Sequence, residues 1–303
     1  MSVKTATLSG QQRQEERLGW LFVTPLALGI CLFQFYPVLF SLYVSFTQWN
    51  LLNPPRWVGT RNYVELFTTD RFFFKTLTNT GTYAFGVVLP AIALSLFFAM
   101  LLTQDITGKH LYRAIYFVPV VAPAVAIALL WQWLYEPNFG IINSILRFLG
   151  VQGPGWLGST KWALTAIIIE AIWAGLGFNI VLFLAGLQSI SKEYYEAAAI
   201  DGANSLQRFF FITMPLLSPV TFFVLVTGMI GTFQDFTVPF VMTGGGPANA
   251  TQLVVMYLYG LAFRLQNMGT ASAVAYAVFI VIVVLTLLNF AVGRKWVFYE
   301  ESL

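Results

Sequence analysis

Apolar residues occur along this chain in long runs that short polar segments separate. A helix rises about 1.5 Å per residue, so about 20 apolar residues span the roughly 30 Å hydrocarbon core of a bilayer. Only helices and closed barrels satisfy the backbone in lipid, and the runs lack the alternation of a barrel strand. The pattern predicts six membrane helices, at Gly19–Phe46, Thr80–Leu102, Ala114–Tyr135, Trp162–Leu187, Leu216–Met242 and Thr270–Val292.

The two longest connections, residues 47–78 and 136–161, are rich in Trp, Pro, Gly and Asn. Such segments are typical of ordered turns and short interfacial helices near the lipid headgroups. No low-complexity linker interrupts the chain. We therefore expect one membrane domain over residues 19–293, between an N-terminal tail (1–18) and a C-terminal tail (294–303) that both lie in the cytoplasm.

Basic residues indicate the orientation of the predicted helices. With the N-terminus inside, nine Lys and Arg residues fall in the short inner segments and seven in the longer outer loops. The paired Arg294 and Lys295 after the last run strengthen this bias. An even number of spans places both termini on one side. The predicted fold class is all-α, a polytopic membrane bundle of six transmembrane helices with both termini inside.

The composition excludes several classes of protein. Hydrophobic residues make up 58% of the chain and charged residues 10%, whereas soluble domains carry about 25% charge. The net charge of +3 is dispersed and does not suggest nucleic acid as a partner. Cys31 is the single cysteine, so no internal disulfide is possible, and His110 has no neighbour in sequence that suggests a metal site. The chain contains no complete P-loop motif for ATP.

The stretch "EYYEAAAIDGANSLQRFFFITMP", from Glu193 to Pro215, is polar although it lies between two apolar runs. Ser191 can cap a helix, and Glu193 in its first turn suits the helix dipole. The dipeptide Asp201-Gly202 ends that helix, because glycine tolerates a left-handed backbone. A second helix then starts near Asn204 or Ser205 and continues to Pro215.

Two surfaces could contact this helix–turn–helix segment. The aromatic run Phe209–Phe211 suits a helix that lies on the membrane. The first helix is acidic and rich in small alanines, which suits a close contact with another protein. The residue types alone leave both possibilities open.

The spacing of the segment resembles the EAA loop in permease subunits of binding-protein-dependent ABC importers. Glu196-Ala197-Ala198 is followed after three residues by Gly202, and after nine more by Ile212, with Met214-Pro215 closing the motif. Methionine in place of leucine is the one departure. The stretches "YPVLFSLYVSF", "RAIYFVPVVAPAVAIALLWQWLY", "TGGGPANAT" and "GTASAVAYAVFIVIVV" resemble the carbohydrate-uptake branch, the maltose-type and glycerol-phosphate-type permeases.

This resemblance implies a transport subunit of the cell (inner) membrane that is not itself an enzyme. It implies a coupling helix on the cytoplasmic side, between spans four and five, that seats in a cleft of an ATPase subunit. The implied partners are a second homologous permease, two cytoplasmic ATPase subunits that bind ATP and Mg, an extracytoplasmic binding protein, a carbohydrate solute and membrane lipid. The implied coupling residues are Glu196, Ala197, Ala198, Asp201, Gly202, Ala203, Arg208 and Pro215.

Two acids, Glu170 and Asp235, lie within the predicted fourth and fifth spans. Intramembrane acids are candidates for function. The alternative for Glu170 is a structural acid that is hydrogen-bonded within the bundle, and the alternative for Asp235 is an interfacial residue near the headgroups. Sugar sites combine aromatic faces with amides and carboxylates, so a candidate substrate path consists of Trp173, Asn179, Phe233, Gln234, Asp235 and Glu170.

Proton-coupled secondary transport through the two acids is the alternative function. A membrane enzyme would need a catalytic cluster that the sequence lacks. The solute stays open among maltose-like oligosaccharides, other glycosides and glycerol phosphate.

Overall fold

The computed structural model describes residues 10–104 and 107–298, and most of these are helical. Among the described helices, four are long and apolar enough to cross a membrane, and six if each of two bent pairs counts as one span. The backbone divides into two compact units. The described residues up to Phe67 form the first unit with Leu261–Tyr276, and Thr68–Gly260 form the second with the residues from Ala277 onward.

The first unit begins with a long helix whose apolar surface is not covered within the chain. The first predicted span is confirmed as helical, and none of the residues in the apolar window of Arg17–Ser45 is buried. One turn of π-helix interrupts the α-helical geometry near the middle. The bounds are α1 Gly10–Ile30, a π-helical turn Cys31–Phe35 and α2 Tyr36–Ser45.

A small β-hairpin follows α2 and departs from the all-α prediction. The side-chain amide of Asn62 stabilises the start of the hairpin. Its Nδ2 donates to the carbonyl of Ser45 at 2.8 Å and to that of Thr47 at 2.9 Å. Strands of two residues are too short to show an alternating pattern, so they could not be predicted from the sequence. The elements are β1 Thr47–Gln48, antiparallel β2 Arg56–Trp57 and α3 Arg61–Thr68.

The second unit is built around α4, which packs along α8, α12 and α14, while α5 packs on α8 and α13 on α6. In chain order after α3, the helices are α4 Arg71–Thr103, α5 Lys109–Val121, α6 Ala124–Leu134, α7 Ile141–Phe148, α8 Ala163–Ser189, α9 Lys192–Ile200, α10 Ser205–Arg208, α11 Met214–Leu216, α12 Ser218–Phe233, α13 Thr237–Thr243, α14 Val254–Tyr259 and α15 Met268–Gly293, whose residues up to Tyr276 belong to the first unit. Phe209–Thr213 and Gly260–Arg264 are π-helical.

The third predicted span is wrong as a single helix. It consists of α5 and α6, which are bent by 103°. The bend falls at Ala122, whose backbone is extended (φ −80°, ψ 144°), directly before Pro123. Proline disfavours helical geometry in the residue before it, which explains why the helix breaks here.

The fifth predicted span is also interrupted. Helix α12 ends at Phe233, and Asp235 and Phe236 lie outside any helix before α13 begins. At its other end, α12 is bent by 61° from the helical stretch Ser205–Leu216. Runs 2, 4 and 6 are confirmed as continuous helices, and the count of six spans stays a prediction.

Helix α4 begins nine residues before the predicted Thr80 because Asp70 caps it. Its Oδ1 accepts from the backbone N–H groups of Phe72 and Phe73, each at 3.0 Å. The Tyr257 hydroxyl donates to the other carboxylate oxygen of Asp70. Burial raises the pKa of Tyr257 above its ordinary value, and the hydrogen bond to Asp70 and its negative charge raise it further.

Candidate functional site

Helix α9 has the start that its sequence predicts. The Ser191 hydroxyl accepts from the backbone N–H of Glu193 at 3.3 Å, and Glu193 lies in the first turn, where the helix dipole favours a negative charge. Its end is equally defined. Gly202 has a left-handed backbone (φ +80°), and Ala203 donates its N–H to the carbonyl of Ala198 at 2.8 Å. Together with the bond from Gly202 to Ala199, this forms a Schellman motif.

The second helix of the loop starts with a capping box. The N–H of Gln207 donates to Oδ1 of Asn204 at 2.9 Å, and the N–H of Asn204 donates to Oε1 of Gln207 at 2.8 Å. Gly202 and Asn204 therefore fix a compact turn between α9 and α10. The predicted helix, turn and second helix are confirmed.

The surface of this loop is open. No residue of α9 is buried; Glu196 and Ala197 are exposed, whereas Ala198 is half-buried. Ile200 is 87% exposed and Phe211 80%. Ile200 was not predicted as a site residue. Beside them lies a depression of about 300 Å³ that is lined by Ala198, Asp201, Gly202, Ala203, Gln207, Arg208, Phe211 and Ile212.

Two side chains join the loop to the helices behind it. The hydroxyls of Tyr195, on α9, and Thr213, in the π-helical turn, lie 2.9 Å apart. Arg208 is the last residue of α10, and its Nε is buried and has no hydrogen-bond partner among the described residues. Tyr195 was not predicted as a site residue, because its role depends on a partner 18 positions away.

Pro215 lies at the base of α12, beside the 61° bend. Its carbonyl accepts from the Ser218 hydroxyl at 2.5 Å, and the Ser218 oxygen accepts from the N–H of Phe298 at 2.8 Å. The end of this helix–turn–helix segment is thus hydrogen-bonded to the segment that follows α15.

A cavity of about 370 Å³ lies between α4, α8 and α12, entirely within the second unit. Glu170 on α8 lines it. The residue is 0% exposed, and neither carboxylate oxygen has a hydrogen-bond partner among the described residues. Such a group costs free energy unless something supplies the missing partner. An unpartnered acid beside a cavity is therefore a candidate binding group.

Asp235 reaches the same cavity from the break after α12. The Tyr83 hydroxyl, on α4, donates to its Oδ2 at 2.5 Å, and Phe236 adds a backbone hydrogen bond. Asn179 and Thr232 also line the cavity. The structure thus brings together three predicted residues, Glu170, Asn179 and Asp235. It adds Tyr83, which looked in the sequence like one more aromatic residue of an apolar run.

The other predicted path residues lie outside the lining of this cavity. Trp173 packs edge-on against Trp131, with ring centroids 5.6 Å apart. Phe233 is buried in an apolar cluster, and Gln234 is exposed.

The cavity offers hydrogen-bonding groups on apolar walls, which suits reversible binding of a polar solute. Within residues 10–104 and 107–298, no group of three or more His, Cys, Asp or Glu residues is placed to hold a metal ion. His110 was not predicted as a ligand, and its side chain lies outside the described part of the chain.

A helical chain with this loop and an internal polar cavity has the features of a transport permease, and comparison with known proteins gives the family. The chain belongs to the family described as "Binding-protein-dependent transport system inner membrane component", whose model matches residues 91–296. It is a multi-pass membrane protein of ABC transport systems. The matched region includes the helix–turn–helix segment of residues 191–215 and most of the residues that line the cavity.

Relatives of nearly equal length support this assignment. The chain is 36% identical to the probable ABC transporter permease protein YesP of Bacillus subtilis (strain 168), over 96% of this chain and 94% of that one. It is 34% identical to the trehalose/maltose transport system permease protein MalF of Thermococcus litoralis, over 93% and 95%. It is 35% identical to the lactose transport system permease protein LacF of Rhizobium radiobacter, over 96% and 99%.

The fold also matches a solved structure. A chain from a bacterial ABC transporter involved in the import of the acidic polysaccharide alginate superposes with a TM-score of 0.81. The alignment covers 93% of this chain and 96% of that one, at 21% identity. At this identity the likeness defines the fold alone.

Proposed function

We propose that this chain is the permease subunit of an ATP-driven ABC importer that moves a sugar or sugar-like solute into the cell. The observation that carries the proposal is the family match over residues 91–296, within which the EAA-like segment forms a helix, a glycine turn and a second helix with an open surface. The relatives named for trehalose/maltose and lactose support a saccharide as the solute.

Helix α9 and its turn are the proposed coupling helix, on the cytoplasmic side. The side chains of Ala197 and Ala198 are small, so a partner ATPase can come close to the backbone of α9. Glu196 offers a charged contact. Ile200 adds exposed apolar area, whose burial contributes about 25 cal/mol per Å². Arg208 lines the depression, and its guanidinium group can meet an acceptor on the ATPase. The remaining proposed contacts are Asp201, Gly202, Ala203 and Pro215.

Closure of the ATPases would move the coupling helix and, through it, the base of α12. The Tyr195–Thr213 contact and the Pro215–Ser218 bond provide a continuous connection from α9 to α12. Such rigid-body motion is a known form of switching transition and would give alternating access to the cavity.

The proposed assembly contains this chain, a second homologous permease, two cytoplasmic ATPase subunits and an extracytoplasmic solute-binding protein. ATP and Mg would bind to the ATPase subunits, and this chain would hydrolyse nothing itself. The proposed location is the cell (inner) membrane. There the transmembrane domain of residues 19–293 would form six spans between the cytoplasmic tails 1–18 and 294–303.

The proposed solute path passes the cavity at Glu170, Asn179 and Asp235, with Tyr83 as a further lining residue. Trp173, Phe233 and Gln234 stay candidates for other positions along the path. The two acids also motivate the alternative, a proton-coupled transporter, but the family match supports the ATP-coupled importer over it.

Reconstitution separates these two functions. The importer, purified as an assembled complex with its ATPase and binding protein, is placed in proteoliposomes and supplied with labelled maltose, trehalose or lactose. We expect uptake that requires ATP on the ATPase side and that a pH gradient alone does not drive. Uptake by this chain alone under a pH gradient would contradict the proposal.

A further inference from the structure

The charge of the cavity lining points to the kind of solute that it admits. Among the sixteen residues that line it, Glu170 and Asp235 are acidic and none is Lys or Arg. The two carboxyl groups line the same cavity. Walls of low dielectric strengthen the field of such charges inside a cleft. The cavity is therefore biased against negative charge.

The hydrogen-bonding groups of the cavity also favour an uncharged solute that is rich in hydroxyl groups. Both oxygens of Glu170 lack a partner among the described residues, although the side chain is 0% exposed. They can accept hydrogen bonds from solute hydroxyls, and Asn179 can both donate and accept. A hydroxyl-rich solute would satisfy Glu170, whereas a solute carboxylate or phosphate would bring a further acceptor to it.

Asp235 is held in place as an acceptor. The Tyr83 hydroxyl and a backbone hydrogen bond from Phe236 both support its carboxylate. Recognition of an anionic sugar instead favours Arg or Lys, because a guanidinium pairs with a carboxylate or phosphate through two hydrogen bonds. No such residue lines the cavity, so the described structure offers an anion no counter-charge here.

We propose that Glu170 and Asp235 make this cavity selective for uncharged saccharides and exclude anionic solutes such as uronates and sugar phosphates. The inference rests on the proposed function, because it requires the cavity to lie on the solute path. It narrows the open set of solutes by removing glycerol phosphate. The structural neighbour is described as an importer of an acidic polysaccharide, so the shared fold does not set this preference.

The charge of the cavity can be measured without knowing the solute. Ala174 lies one helical turn from Glu170 and also lines the cavity. In the assembled importer carrying Cys31→Ser, the variant Ala174→Cys is treated with a cationic and an anionic methanethiosulfonate reagent. Gln152→Cys, at an exposed loop position, corrects for the intrinsic rates of the reagents. We expect the ratio of cationic to anionic rates to be about tenfold higher at position 174 than at position 152.

Adding Glu170→Gln and Asp235→Asn keeps the size of both side chains and removes their charge. We expect this pair of changes to reduce the tenfold excess to about twofold or less. Equal ratios at positions 174 and 152, or an excess that the two neutral substitutions leave unchanged, would overturn the inference.

Uptake provides the second measurement. Proteoliposomes containing the assembled importer with ATP are supplied with maltose, trehalose and lactose, and with the anionic probes glycerol 3-phosphate and a glucuronate disaccharide. We expect uptake of neutral sugars only. ATP-driven uptake of an anionic probe at a comparable rate overturns this inference and leaves the proposed function standing. Absence of both ATP-driven uptake and a bound ATPase overturns the proposed function, while the thiol measurement still reports the charge of the cavity.

Discussion

The hydroxyl of Tyr195 lies 2.9 Å from the hydroxyl of Thr213, and this contact joins α9 to the π-helical turn that leads toward α12. Thr213 is buried, so water does not readily replace a lost partner there. The contact connects the proposed coupling helix to the segment that leads into α12, whose far end precedes Asp235.

Removing the Tyr195 hydroxyl should weaken this connection. We expect Tyr195→Phe to retain the ATPase in the purified complex but to lower the number of solute molecules imported per ATP hydrolysed. The hydrogen bond is worth about 1 kcal/mol, so a several-fold loss of coupling is expected. Thr213→Val removes the other hydroxyl and should have the same effect. The losses of coupling in the two single variants should not add in the double variant. If they add, the contact does not link α9 to α12.

Replacing Gly202 should strain the turn. A residue with a Cβ costs about 1–2 kcal/mol at its left-handed backbone, φ +80°, although no atom lies within 4 Å of that Cβ. We expect Gly202→Ala to increase the rate of amide hydrogen exchange in the loop. Gly202→Asn should increase this rate less, because asparagine tolerates a left-handed backbone better than alanine. Gly81→Ala is the control, because Gly81 is helical with equally open surroundings and alanine is the better helix former. A loop whose exchange is the same in both Gly202 variants and the wild type would contradict the turn described here.

The contact between α5 and α8 should be sensitive to one added methyl group. A Cβ at Gly177 would clash with the carbonyl of Tyr116. Overpacking of this kind costs about 1–3 kcal/mol, so Gly177→Ala should lower the melting temperature of the purified complex. Gly175→Ala, two residues earlier on α8, meets nothing within 4 Å and should change stability little. Equal melting temperatures for the two variants would contradict the packing of α5 on α8.

The hydrogen bond between Tyr257 and Asp70 should stabilise the fold over a defined pH range. The pKa of Tyr257 is raised, so its hydroxyl is more firmly protonated in the folded chain than in the unfolded one. Its contribution is therefore complete below the ordinary tyrosine pKa, about 10, and is lost as the pH rises through the folded value. Tyr257→Phe should cost about 1 kcal/mol in unfolding measurements at pH 7 and pH 9, and less above pH 10. Tyr112→Phe, at an exposed site, is the control, and a cost that grows above pH 10 would contradict the sign of the shift.

The local chemistry of the coupling loop could be predicted from the sequence because all of its determinants are close together in the chain. Ser191 caps the residue two positions later, Gly202 closes its own turn, and Asn204 pairs with Gln207. The motif spacing and these local bonds agree. Tyr195 could not be predicted in the same way, because its partner Thr213 lies 18 positions further along the chain.

Hydrophobicity predicted where helices occur but not where they bend. The breaks at Ala122 and at Asp235 lie inside apolar runs, and only the backbone reveals the 103° turn between α5 and α6. The first break lies directly before Pro123, because proline disfavours helical geometry in the residue before it. The residues that line the cavity could likewise be predicted only in part. Glu170 and Asp235 were recognisable as acids in apolar surroundings, whereas Tyr83 became visible only when α4 was packed against α8 and α12.

Recovery of the ATPase from native membranes tests the central claim most directly. The wild-type chain is purified beside Glu196→Lys plus Gly202→Trp, which reverses a charge and adds bulk at the open surface of α9 and its turn. Gln152→Lys plus Gly155→Trp makes the same two changes in an exposed loop and is the matched control. We predict that the wild type and the control retain an ATPase subunit and ATP-driven uptake, and that the coupling-loop variant loses both. An ATPase retained equally by all three chains would contradict the account.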